Sequence, residues 1–214
     1  MSIVKIKHLC KSYGEHLVFN DVNMEIKENE FCMIIGKSGC GKSTLLNIIG
    51  LLDTFDSGEV KLFDDDIPKP FSKKSERLLK EKIGYLFQNF ALIDSESVQY
   101  NLEIIMDKKK KDKIVLINEA LEKVGLSGYN KKKICECSGG EQQRIAIARL
   151  LLKPCELILA DEPTGSLDSY NKKTVCDLLK EMQKSGKTIV VVTHDDYLKQ
   201  YADRVIELSG ERAG

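Results

Sequence analysis

Nine consecutive residues, Gly36-Lys37-Ser38-Gly39-Cys40-Gly41-Lys42-Ser43-Thr44, contain the pattern G-x4-G-K-[ST]. Its glycines let the backbone wrap an anion with amide N–H groups pointing inward. Lys42 offers a positive charge to β- and γ-phosphates, and Ser43 offers a hydroxyl to Mg2+. A helix starting directly after the loop adds its positive N-terminal end. At average residue usage, a chance match in this chain is on the order of one in a hundred. The chemistry this pattern serves is the holding of a nucleoside triphosphate, ATP or a relative, with Mg2+.

Leu157-Ile158-Leu159-Ala160-Asp161-Glu162-Pro163 is the second signal. An apolar strand ending in an acid is how a nucleotide-binding fold holds Mg2+, here through Asp161 and a water. Glu162 stands next, at the strand's mouth, where a carboxylate can orient or deprotonate an attacking water. Alone, such an acidic pair could be a helix cap; beside the phosphate loop it reads as catalytic. The third signal is Cys137-Ser138-Gly139-Gly140-Glu141-Gln142-Gln143-Arg144. Ser-x-x-Glu before an apolar-periodic stretch is a capping box. Two adjacent glycines are costly in a first helical turn, whereas bare amides beside a Ser hydroxyl make an anion site. With one phosphate loop already in the chain, this second element suggests a partner's nucleotide.

The elements that must position these residues are legible as an alternation. Apolar runs at 31–35, 83–87, 157–160, 188–193 and 205–208 read as strands buried on both faces. Helical patterns occupy about 42–50, 142–152 and 171–185. That rhythm predicts an α/β fold with a mainly parallel sheet. The first 30 residues and 58–67 read as short antiparallel strands, and 95–136 reads as helical without a strand. The run 108–111 within it is all Lys, the signature of a solvated loop or helix face. No internal repeat or Gly/Ser/Pro-rich linker divides the chain. One domain over 1–214, with a helical insertion at roughly 90–137, is the expectation.

Composition narrows the function. Lys and Arg number 33, as do Asp and Glu, so 214 residues carry a formal net charge of zero. Such a balance argues against bulk coating of nucleic acid. A membrane span needs roughly 20 consecutive apolar residues, and the longest runs here fall far short. Met1-Ser2-Ile3-Val4-Lys5 lacks the apolar stretch of a secretory signal. Seven cysteines are scattered, and Cys135-x-Cys137 has no second pair or nearby His to complete a zinc site. Free thiols in a reducing cytosol are expected.

Taken together, these motifs resemble the ATP-binding-cassette (ABC) ATPases over nearly the whole chain. The family signature Leu-Ser-Gly-Gly-Gln stands here as Cys137-Ser138-Gly139-Gly140-Glu141. Its Glu variant followed by Gln-Gln-Arg is frequent in the macrolide-exporter and lipoprotein-release branch (MacB-like). Cys for Leu is a departure that touches packing rather than chemistry. Tyr13 looks like the aromatic residue that stacks on adenine. Gln88, in Gly84-Tyr85-Leu86-Phe87-Gln88-Asn89, resembles the glutamine touching Mg2+ and the attacking water. Ser166-Leu167-Asp168 resembles the loop that crosses the dimer interface, and His194 the histidine contacting the γ-phosphate. Further short stretches, 84–93 and 160–168, look like a bacteriocin-export subgroup of that branch.

The resemblance implies a P-loop (RecA-like) core with an N-terminal antiparallel part and a helical insertion. It implies ATP hydrolysis with Mg2+, Glu162 as general base, and Lys42, Gln88 and His194 around the reacting phosphate. It further implies two copies closing head-to-tail around two ATP molecules, each lending residues 138–140 to the other's site. A separate integral-membrane permease would hold this cytoplasmic subunit at the inner face of the membrane. A peptide or bacteriocin, a drug and a lipoprotein are all candidate cargoes. The alternative is a non-transport ABC ATPase, either a cell-division or regulatory cassette or one serving iron–sulfur assembly. A DNA-repair relative is excluded, since the interval from Lys42 to Cys137 is too short for its coiled coil. A small-molecule kinase would leave Ser138-Gly139-Gly140 and His194 without a role.

Overall fold

The computed structural model describes residues 1–107, 112–165 and 167–208. Two long strands, β1 (Ser2–Tyr13) and β2 (His16–Lys27), lead to β3 (Phe31–Ile35) and helix α1 (Lys42–Ile49). Strands β4 (Ser57–Leu62) and β5 (Asp65–Asp66), helix α2 (Lys73–Glu81) and strand β6 (Ile83–Leu86) follow. Helices α3 (Val98–Glu103) and α4 (Lys113–Lys123) precede the longer α5 (Gly139–Leu152). The remainder alternates as β7 (Leu157–Asp161), α6 (Ser169–Lys184), β8 (Thr188–Val192) and β9 (Arg204–Glu207).

Five strands form a sheet in the order β6-β7-β8-β3-β9, with every neighbouring pair parallel. The other four form an antiparallel sheet in the order β2-β1-β4-β5. The expected fold class holds. Because β3, β7 and β8 are covered on both faces, their sequences are apolar without alternation. Alternate side chains still separate into two clusters. Phe31, Met33, Ile158, Ala160, Ile189 and Val191 pack with the helical face, which includes α3 to α6. Cys32, Ile34, Leu157, Leu159, Val190 and Val192 pack with α1 and the antiparallel sheet. Helix α1 buries Leu45, Leu46, Ile48 and Ile49, enough to apolarise most of its circumference. At about 1.5–3 kcal/mol for each fully buried aliphatic side chain, that anchoring fixes the loop in front of it.

Several expectations are corrected in detail. The strands of the first 30 residues are 12 residues long rather than short, and shifts of register interrupt their pairing. Helix α5 begins at Gly139, ahead of the expected 142, because Ser138 and Glu141 close a reciprocal capping box there. Helix α2 was not anticipated; its residues are mostly charged, and Ser72 caps it through the amide of Ser75. The lysine run 108–111 lies outside the described residues. All seven cysteines are free, and Cys137 is 7 % exposed within the helical cluster, an apolar packing position as its place in the motif suggested.

Candidate active site

The phosphate loop fills the turn between β3 and α1. Gly41 takes φ 93°, and a Cβ there would meet the Phe19 ring at 2.5 Å, so this position is closed to other residues on two grounds. Lys42 folds its ammonium back across the loop, donating to the carbonyls of Gly36 at 2.9 Å and Lys37 at 3.0 Å. Lys37, Ser38 and Gly39 form the exposed rim of the loop, while Cys40 turns into the core. The Ser43 hydroxyl donates at 3.2 Å to Oδ1 of Asp161, which ends β7. Burial pushes the Asp161 carboxyl up, the Ser43 bond and Lys42 oppose that rise, and the charge of Glu162 adds to it.

Glu162 has φ 45°, a region uncommon for residues other than glycine. Both carboxylate oxygens are placed by the end of β8. Thr193 donates its hydroxyl to Oε2 at 2.7 Å, and His194 Nδ1 lies 2.7 Å from Oε1. The Glu162 amide donates to Val192 at 2.9 Å, continuing the β7–β8 pairing. Thr193 is itself braced, accepting from the Asp195 amide at 3.0 Å. Asp195 in turn accepts from the buried Thr164 hydroxyl at 3.0 Å and from Lys172 at 2.7 Å. Thr193, Thr164, Asp195 and Lys172 did not stand out in the sequence. The hydroxyl at the end of a strand, one residue before the motif histidine, was the available signal.

The remaining expected residues are arranged around this centre. Tyr13 is half-exposed at the end of β1, with the Lys11 ammonium 4.4 Å from its ring centroid. Its hydroxyl bonds to Asp53, just beyond α1, and Thr44 is a further hydrogen-bond neighbour. The ring is thus held next to the loop helix. Gln88 is exposed in the turn after β6, at the same end of the sheet as Asp161, since Leu86 pairs with Ala160. Phe90 and Ala91 in that turn take φ 63° and 47°. Arg149 from α5 secures them, donating to the Phe90 carbonyl at 2.8 Å and that of Ala91 at 2.6 Å.

Ser138, Gly139, Gly140 and Glu141 stand apart, at the N-terminus of α5. Among the described residues no hydrogen bond joins them to the phosphate loop; Ser138 and Glu141 bond to each other and to their neighbours. The two glycines differ. A Cβ on Gly140 would lie 2.6 Å from Asn171, whereas one on Gly139 meets nothing within 4 Å. Glu141 accepts from the Tyr129 hydroxyl at 2.6 Å, the Ser138 amide at 2.7 Å and Lys132 at 3.2 Å. Those donors, Tyr129 first, hold its carboxyl down to about 2. Its oxygens are engaged inside the chain, where they brace the helix start. Asp168 caps α6 through the Asn171 amide at 2.9 Å. Ser166 lies outside the described residues.

A family model described as ABC transporter matches residues 19–165. The chain belongs to the ABC transporter family. It is similar to the macrolide export ATP-binding/permease protein MacB of Mannheimia succiniciproducens, at 39% identity over 97% of this chain. The chain spans 33% of that relative's length. An uncharacterised ABC transporter ATP-binding protein of Methanocaldococcus jannaschii is 40% identical, covering 96% of this chain and 95% of the relative. Among solved structures, the ATP-binding cassette MJ0796, in a dimeric post-hydrolysis state bound to ADP and Pi, superposes with a TM-score of 0.88. It is 37% identical, and the match covers 97% of this chain and 94% of that one. Within that family, its likeness to MacB covers the third of that protein that it spans.

Proposed function

We propose that this cassette hydrolyses ATP as one of two identical copies and drives a separate membrane permease. The observation that carries the reading is the Glu162 carboxylate, fixed by Thr193 and His194 beside the Ser43–Asp161 pair and Lys42. Two hard oxygen donors meet there. Among the described residues no cluster of three His, Cys, Asp or Glu would hold a metal by itself. That pattern fits Mg2+, which takes its remaining ligands from phosphates and water. Ser43, Asp161 and Gln88 would hold it, and it would neutralise charge on the β- and γ-phosphates. Glu162 takes the proton of the water that attacks the γ-phosphorus, and the bond from that phosphorus to the ADP oxygen breaks. Lys42 and the loop amides oppose the negative charge that moves to the departing oxygen. His194 orients Glu162 and faces the γ-phosphate. Tyr13 stacks on adenine.

The exposed Ser138 and Gly139 complete the site of a second copy; among the described residues no hydrogen bond ties them to their own phosphate loop. Phosphoryl transfer is mostly positioning, so a site lacking this half turns over slowly. Among the described residues no helix is long and apolar enough to cross a membrane. The permease docks where the Gln88 turn meets the helical part at about 90–137, and the whole chain acts as one cassette. A peptide or bacteriocin, a drug or a lipoprotein is the cargo class. Glu162→Gln removes the base and keeps the shape. With Mg-ATP this variant is expected to elute as a dimer in size-exclusion chromatography; elution only as monomer would count against shared sites.

A further inference from the structure

Of two side chains of α5 just inside its capped N-terminus, Gln143 reaches the loop that carries Glu162 and Arg144 reaches Asn171 on α6. Gln143 is 1 % exposed, and its Nε2 donates at 2.8 Å to the carbonyl of Pro163. Its Oε1 is buried with no hydrogen-bond partner among the described residues. Turning the amide over would set oxygen against the Pro163 carbonyl and strand the NH2 group instead, so the orientation is fixed by chemistry. Arg144 donates to the Asn171 side chain, whose own amide donates at 2.6 Å to Asp168. The loop from Glu162 to Asp168 is therefore tied at its beginning and at its end to one helix. That helix starts with Ser138, Gly139 and Gly140, the segment assigned above to the partner's nucleotide.

We propose that Gln143 is a positioning residue that couples the two half-sites of a single chain. When residues 138–140 engage the second copy's ATP, α5 shifts, and Gln143 carries the shift to the Pro163 peptide. The adjacent Glu162 is held at φ 45°, a backbone state that persists only while its surroundings impose it. A small displacement of Pro163 therefore re-aims the carboxylate. The free Oε1 provides the second resting arrangement. A buried acceptor without a donor is costly, and a loop N–H turning inward would satisfy it. The inference rests on the shared-site reading, since without a nucleotide at 138–140 there is nothing to transmit.

Gln143→Met keeps length and volume and removes both polar atoms. The expected result is a kcat lower by about tenfold, the worth of one hydrogen bond, with KM for ATP unchanged and the Hill coefficient for ATP falling towards one. In the Glu162→Gln background the ATP-bound dimer should still form. Amide exchange in peptides covering 162–168, slowed by ATP in Glu162→Gln alone, should no longer be slowed. Unchanged kcat, or retained ATP-dependent protection of 162–168, overturns the coupling. If Glu162→Gln alone never dimerises, the shared-site reading fails first and the coupling with it. Should Gln143→Met not fold, Gln143→Leu also removes the donor to Pro163. It is expected to give the same split, and wild-type rates there overturn the proposal equally.

Discussion

Glu162 carries no free choice of direction: one oxygen is taken by the Thr193 hydroxyl and the other faces His194. Thr193→Val keeps the shape of the side chain and deletes the donor. A hydrogen bond to a charged group is worth about 1.5–3 kcal/mol, so kcat should fall roughly 10- to 100-fold. Thr193→Ser should recover most of it in a steady-state assay. Glu141 supplies a second residue-scale outcome, read in stability. Its folded carboxyl, held to about 2 against an ordinary 4.5, binds a proton less readily than in the unfolded chain. The stabilisation is therefore complete above about 4.5 and is lost as pH falls from there towards 2. Glu141→Gln should lower the thermal midpoint at neutral pH and lose less between pH 4.5 and 2 than the wild type, a difference calorimetry resolves. The contacts of Thr193 and Gln143 were not legible in the sequence for a common reason. Each acts on a residue from another element, and only the folded arrangement supplies the partner. Lys42, Ser43, Asp161 and Glu162 were legible because their chemistry is written in contiguous residues.

At the scale of elements, α5 explains why its first turn tolerates two glycines. Gly140 has to admit Asn171, which Arg144 and Asp168 hold in place. Gly140→Ala should cost about 1–3 kcal/mol in a denaturant titration, as overpacking does, despite the better helix propensity of Ala. Asn171→Ala in the same chain should return part of that loss. Gly139→Ala meets no neighbour and should leave stability unchanged or slightly higher. Its effect belongs instead to the ATP-induced dimer of Glu162→Gln, which it should weaken. Strands β3, β7 and β8 were visible in the sequence because burial on both faces makes them uniformly apolar. Helix α2 was not, because Ser75 alone among its residues is buried and charge dominates the rest. Its cap at Ser72 and the Arg77–Glu81 pair at 2.9 Å are local support rather than a pattern of burial.

Across the whole molecule, the parallel sheet is a partition with chemistry along one edge. One face is packed with α1 and the antiparallel sheet, the other with the helices that include α5. The phosphate loop, Asp161 and Glu162, the Gln88 turn and His194 all emerge where parallel strands end, the common place for ligands in open α/β sheets. Alternating strands and helices made this architecture readable in advance. The sequence did not say that Arg149 would join the helical face to the Gln88 turn through two carbonyls. The hydrogen-bonded neighbours of β3, the strand that launches the phosphate loop, are β8 and β9. The Phe31 amide donates to Asp203, 172 positions later. On a ribosome the nucleotide loop emerges well before its flanking strands β8 and β9. Loops closed over such distances form late. A nascent chain therefore cannot set the phosphate loop in a finished sheet until synthesis has passed β9.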